Sequence, residues 1–142
     1  MAEPAAAAAQ AEALQRVQPL LQDLVQRVDG VRTVVLASVD GFALVQAGTA
    51  GNGERLAAMT SAMLGLAAAV GRELALGELQ TLMLEAAGGK VLMLALVGAD
   101  GPRLLMVGCD QRTVIGQVLW NARECGQAIL DELGAQGATP GR

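Results

Sequence analysis

The chain has no histidine and no tyrosine, and holds only one phenylalanine, one tryptophan and two cysteines in 142 residues. Without histidine, Ser–His and Cys–His catalytic pairs, His-ligated zinc sites and HExxH metalloprotease chemistry are all excluded. Two cysteines, Cys109 and Cys125, are too few for a four-cysteine zinc site or a disulfide-rich scaffold. Charge is also scarce. Charged residues make up 17% of the chain, against an ordinary share of about 25%. The balance of 10 basic to 14 acidic side chains gives a net charge of -4, with no basic run. That argues against a nucleic-acid partner held through phosphate contacts. Long apolar runs are missing too. Residues 56–71 form the nearest candidate, but they include Thr60 and Ser61 and are flanked by Arg55 and Arg72, short of the roughly 20 residues a spanning helix needs. The opening MAEPAAAAAQ lacks the basic region of a signal peptide. The sequence therefore predicts a cytoplasmic chain with no membrane insertion.

What is abundant is apolar surface. Hydrophobic residues reach 53%, which excludes disorder throughout, because that much apolar area does not stay wet. The length fits a single domain. So little charge over so much apolar surface implies that another chain covers part of it.

Residues 1–10 read as a flexible Ala-rich leader, a loose tail or a frayed helical start, 11–134 as one α/β domain and 135–142 as a disordered tail. The spacing of Leu14, Val17, Leu21, Leu24 and Val28 predicts a helix. Pro19 either opens it in its first turn or kinks a longer one, and Asp29-Gly30 ends it. Two β-rich runs, VRTVVLASV and FALVQA, flank Asp40-Gly41, a structural turn that predicts a hairpin. Asn52 can cap the next helix. In that helix, residues 54–75, Leu56, Met59, Met63, Leu66, Val70 and Leu74 share one face, which the periodicity assigns to the core. The opposite face carries Ala58, Ser61, Ala62, Gly65, Ala68 and Ala69. Small residues facing outward suit the close approach of a second helix; compositional drift is the plain alternative.

Three further strand-like runs follow: ELQTLMLEA, KVLMLALV and RLLMVGC. Short connections make them an antiparallel meander. KVLMLALV, almost wholly apolar, reads as central and covered on both faces. ELQTLMLEA reads as an edge without Lys or Pro gatekeepers. A last helix is expected over residues 111–133, with Val114, Ile115, Val118, Leu119, Ala122, Cys125, Ile129 and Leu133 inward. Trp120 falls opposite that face, covered by the first helix or by a partner, with a lone exposed Trp as the less favoured alternative. The order α-β-β-α-β-β-β-α predicts a three-layer α/β/α sandwich.

No catalytic, cofactor or metal residue emerges. Gly88-Gly89-Lys90 lacks the spacing and hydroxyl of a phosphate loop, and Gly51-Asn52-Gly53 lacks a dinucleotide fingerprint. Asp40 and Asp100 precede glycines in turns, and Asp110 reads as a cap for the last helix. Cys109 and Cys125 read as inert apolar thiols. Among Arg55, Arg72, Arg103, Arg112 and Arg123, Arg72 is best placed for a partner contact, with Trp120 as the other candidate.

The stretch VVLASVDGFALVQAG (residues 34–48) and the stretch ERLAAMTSAMLGLAAAVGREL (residues 54–74), with the meander after them, resemble the roadblock/dynein light chain (roadblock/LC7) domain family, in its bacterial MglB-like branch. The similarity runs from Leu14 to Leu133. It implies a profilin-like or longin-like fold, mostly antiparallel, with sheet order 2-1-5-4-3, one long helix on one face and two on the other. It further implies a homodimer joined through the third strand and the central helix, with no enzymatic activity. Many members bind or regulate small Ras-like GTPases, the bacterial branch acting on a GTPase of cell polarity and gliding without an arginine finger, and others are motor adaptors. Carried onto this chain, Asp40 and Gly41 shape the hairpin. Ala58, Ala62, Gly65 and Ala69 line the helix pair, and Leu79, Thr81, Leu82, Met83 and Leu84 lie at the strand seam. The expected function is a homodimeric scaffold or regulator of a small Ras-like GTPase. The alternative is a general adaptor that takes a peptide or a signalling or motor protein.

Overall fold

Apolar spacing, a proline and two Asp-Gly pairs set the first third of the chain. In the computed structural model, which describes residues 3–137, helix α1 (Glu3–Arg27) passes through Pro19 without ending there, so the longer helix is the one formed. Val17, Leu21, Leu24 and Val28 are buried along its stripe, and packing onto the core begins at Ala13. The segment expected as a leader is thus helical from Glu3, with Pro4 to Ala8 exposed. Strands β1 (Val31–Ser38) and β2 (Ala43–Gly48) form the expected hairpin. Helix α2 (Gly53–Glu73) begins at Asn52, whose Oδ1 accepts from the Arg55 backbone N–H at 3.0 Å. Strands β3 (Thr81–Ala86), β4 (Gly89–Gly98) and β5 (Gly101–Asp110) and helix α3 (Ile115–Gly137) complete the order. Of the tail assigned to residues 135–142, α3 takes in those up to Gly137, and the rest lie outside the described residues.

One five-stranded sheet results, in the order β2-β1-β5-β4-β3, with every neighbouring pair antiparallel. Helices α1 and α3 cover one face. There Leu36, Leu92, Leu105 and Val107 pack against Val17, Leu21, Val118 and Ile129. Helix α2 lies alone on the other face, where Val35, Ala37, Met93, Leu104 and Met106 meet Ala57 and Leu64. KVLMLALV is not the central strand: β5 is, and β4 stands between it and the edge strand β3. Leu92, Met93, Leu94 and Leu96 are buried on its two faces, while Val97 is exposed.

Two assignments of helix faces need correction. In α2 the face turned to the sheet is Gly53, Ala57, Thr60 and Leu64. Met59, Leu66, Val70 and Leu74, expected inside, are exposed, and Leu56 and Met63 are half-buried. The cause is close approach. A Cβ on Gly53 would sit 2.1 Å from Gln46 Oε1, so the helix start lies too near β2 for larger side chains. A helix that is apolar all round carries no polar side to reveal which stripe faces the sheet. In α3 the helix begins at Ile115 rather than 111, and Val114 is exposed at its mouth. The rest of its inward list holds: Val118, Ala122, Cys125, Ile129 and Leu133 are buried and Ile115 and Leu119 half-buried.

Candidate partner interface

The β1–β2 turn fixes where α2 can lie. The Ser38 backbone N–H donates to Phe42 O at 2.9 Å and the Gly41 N–H to Ser38 O at 3.0 Å. The Phe42 N–H donates to Ser38 Oγ at 3.1 Å. Gly41 takes a φ of +91°, and a Cβ there would stand 3.2 Å from Ala58 Cα. Only glycine gives both that conformation and that closeness. Asp40 is exposed beside it. Ser61 Oγ donates to Val39 O, tying the helix to the turn.

That anchoring leaves the far side of α2 bare. Ala58, Ala62, Gly65 and Ala69 are exposed, and among the described residues nothing beyond its own helix backbone lies within 4 Å of a Cβ placed on Gly65. Beside them runs a stripe of larger exposed side chains, Met59, Leu66 and Val70, with Leu66 70% exposed. Ser61 and Ala68 are half-buried, Ser61 through its bond to the turn and Ala68 in an apolar groove with Gly71, Leu79 and Val97. At the end of α2, Ala75 takes a φ of 55°, and the Leu76 N–H closes the helix on Gly71 O at 2.8 Å. An alanine in the left-handed conformation is held there by the helix end.

Strand β3 lies along the same margin. It pairs with β4 alone. Thr81 and Leu82 are half-buried, Met83 and Leu84 exposed, and Leu79 packs beneath α2. A second groove crosses this edge between Val70, Leu76, Thr81, Leu82 and Arg123. Arg123 reaches it from α3 on the opposite side of the sheet, a contact that its sequence position did not signal. The large exposed stripe of α2 was missed for the reason given above.

The two candidate partner contacts are not brought together. Arg72, exposed, lines the groove on the α2 side, whereas Trp120, 66% exposed, stands on α3 across the sheet. Helix α1 does not cover it. Of the other arginines, Arg103 pairs with Asp100 at 3.0 Å and Arg112 with Asp110 at 3.1 Å. Asp110 does not cap α3. Its Oδ1 accepts from the Arg112 backbone N–H at 2.9 Å, closing the turn that follows β5, five residues before α3 starts. The Arg112 side chain and then its backbone hold the Asp110 carboxyl below the usual carboxylate range. Buried Thr113 instead joins this turn to the end of α1, its Oγ1 donating to Asp29 O at 3.0 Å.

Both cysteines are free and buried. Burial raises the Cys109 thiol above its ordinary value, partly offset by its hydrogen bond with Thr113. Burial and then Asp23 push Cys125 up to about 11. Both stay protonated near neutrality and are poor nucleophiles. Among the described residues no group of His, Cys, Asp and Glu is placed to hold a metal ion, and no helix is long and apolar enough to cross a membrane.

A model of the Roadblock/LC7 domain matches residues 17–101. No curated protein matches the chain in sequence. Among solved structures, the chain is similar to MglB of Myxococcus xanthus, at 16% identity and a TM-score of 0.78 over 89% of this chain and 94% of that one. It is similar to a Roadblock/LC7 domain from Streptomyces avermitilis, at 20% identity and a TM-score of 0.74 over 82% and 96%. A gliding protein, MglB of Thermus thermophilus, matches at 16% identity and a TM-score of 0.74 over 84% and 90%. At these identities the shared property is the fold.

Proposed function

Because the chain belongs to the Roadblock/LC7 domain family, and so to a family of general regulators and scaffolds, we propose that it is a homodimeric, non-enzymatic regulator of a small Ras-like GTPase. The observation that carries the dimer is the position of the bare stripe of α2 directly beside the unpaired edge of β3. Two copies paired antiparallel through one edge strand are related by a twofold axis normal to the sheet. That axis keeps both α2 helices on the same face, so strand pairing and helix pairing are made by one operation. Ala58, Ala62, Gly65 and Ala69 then allow the helices to approach closely, with Met59, Leu66 and Val70 filling the margins. Leu79, Leu82 and Leu84 supply the apolar floor on the α2 side. The GTPase is supported by the likeness in fold to MglB proteins, one of them described as a gliding protein.

The test has two stages. Sedimentation at tens of micromolar should show a dimer; a monomer there overturns the reading. The dimer, mixed with a small Ras-like GTPase encoded beside it in the genome, should form a complex and change GTP hydrolysis or nucleotide release. A dimer that ignores the GTPase and retains a motor, kinase or receptor tail overturns the GTPase part and supports the general adaptor.

A further inference from the structure

The open edge of β3 has a readable hydrogen-bonding phase. The Ala95 N–H donates to Gln80 O at 3.0 Å, so residue 80 directs its backbone groups at β4. Direction alternates along an antiparallel strand. Residues 82, 84 and 86 therefore also face β4, and Thr81, Met83 and Glu85 present their N–H and C=O groups to the free side. A twofold axis normal to the sheet can pass beside residue 82, 83 or 84 if outward groups are to meet outward groups. Centred on Met83, it engages Thr81, Met83 and Glu85 together. Centred on a neighbour, it leaves one of the three unbonded within the strand.

Side chains follow from the same register. Thr81, Met83 and Glu85 stand opposite Leu94, Leu92 and Lys90, and Leu92 and Leu94 pack toward α1 and α3. With the axis at Met83, Glu85 of one copy lies across from Thr81 of the other, on the α3 side of the sheet. Arg123 lines the groove at Thr81, and no ion pair holds it there among the described residues. Glu85 is itself 73% exposed at the side chain, with Lys90 Nζ at 4.0 Å. An unpaired cation and an exposed carboxylate are thus brought face to face, once at each end of the seam.

Resting on the homodimer reading, we propose that two copies join with Met83 on the twofold axis, and that a cross-chain ion pair between Arg123 and Glu85 selects this register over its neighbours. The charges choose among registers that the apolar side chains alone leave nearly equivalent.

Charge reversal and cross-linking test this on the full chain. Arg123→Glu and Glu85→Arg should each weaken dimerisation by roughly tenfold or more, since each places like charges at both ends of the seam. Combining them should restore affinity to within about threefold of the wild type. Glu78→Arg, in the same groove but off the ladder, should change it by less than about threefold. Under mild oxidation with diamide, Met83→Cys should cross-link to its own copy, because directly opposed strand residues lie within disulfide reach. Leu82→Cys and Leu84→Cys should not. A monomeric wild type removes the homodimer reading itself. A dimeric wild type in which Leu82→Cys or Leu84→Cys cross-links instead, or in which the paired reversal fails to restore affinity, overturns the register alone.

Discussion

The two edges of the sheet are built on opposite plans. At β2 the Gln18 side chain of α1 donates from Nε2 to Gln46 O at 2.7 Å, and the Gln46 side chain fills the space under Gly53 at the start of α2. Val45 and Ala47 are buried, so both flanking helices reach this edge and occupy it. At β3 four of the six residues, Met83 to Ala86, are exposed, and the strand pairs with β4 alone. Lysine, proline and bulges, the usual means of blunting an edge, are absent from β3. The comparison teaches that this fold does not neglect its edges. It covers one with its own helices, α1 adding a hydrogen bond to the Gln46 carbonyl, and leaves the other apolar and beside a bare helix.

The largest expected effect breaks the open edge only. The N–H of Met83 points away from β4, so Met83→Pro removes nothing from the chain's own ladder while blocking a strand added outside it. Dimerisation should fall by about a hundredfold or more, with far-UV circular dichroism unchanged. Leu84→Pro, whose N–H serves β4, should instead lower the thermal melting temperature of the folded chain. Gly65→Leu comes next. A Cβ there meets nothing beyond the helix backbone among the described residues, so overpacking between paired helices, about 1–3 kcal/mol for each, should appear in sedimentation as weaker association without loss of fold. A variant that stays equally dimeric shows that Gly65 does not face the partner.

Two smaller changes probe the closed edge. Gly53→Val drives a side chain into Gln46 and should lower stability in urea titration by about 1–3 kcal/mol. Gln18→Ala frees the Gln46 carbonyl at a cost of about 0.5–1.5 kcal/mol, with oligomeric state unchanged. Concentration-dependent growth beyond the dimer in Gln18→Ala would identify that one hydrogen bond as what closes β2.

Much of this architecture was legible because turn chemistry is local. Asp29-Gly30, Asp40-Gly41 and Asn52 each mark a boundary through the conformation or the bond they supply, and the structure uses all three. The identity of β3 as an edge was legible too, since its mixture of polar and apolar residues is unsuited to burial on both faces. The orientation of α2 was not. Its large residues define a clear apolar stripe, yet Ala57 and Thr60 set the packing distance because Gly41 and Gly53 draw the helix onto the hairpin. That distance is a property of the tertiary fit, which periodicity does not encode. Asp110 was misplaced for a related reason: an aspartate ahead of a helix reads as its cap until the intervening turn is seen to take both of its oxygens. The register of the seam was hidden as well, because the phase of outward groups depends on which residue of β3 first meets β4.

The Gln18–Gln46 contact also bears on how such a sheet would grow. In the proposed dimer β3 uses up its free side on its own copy, and each outer rim is then β2, with its Gln46 carbonyl already bonded by Gln18. Growth past that pair would have to begin at the occupied rim. In the proposed pair, the same apolar, unguarded strand that in an open-ended sheet would seed a fibre is spent on a single joint.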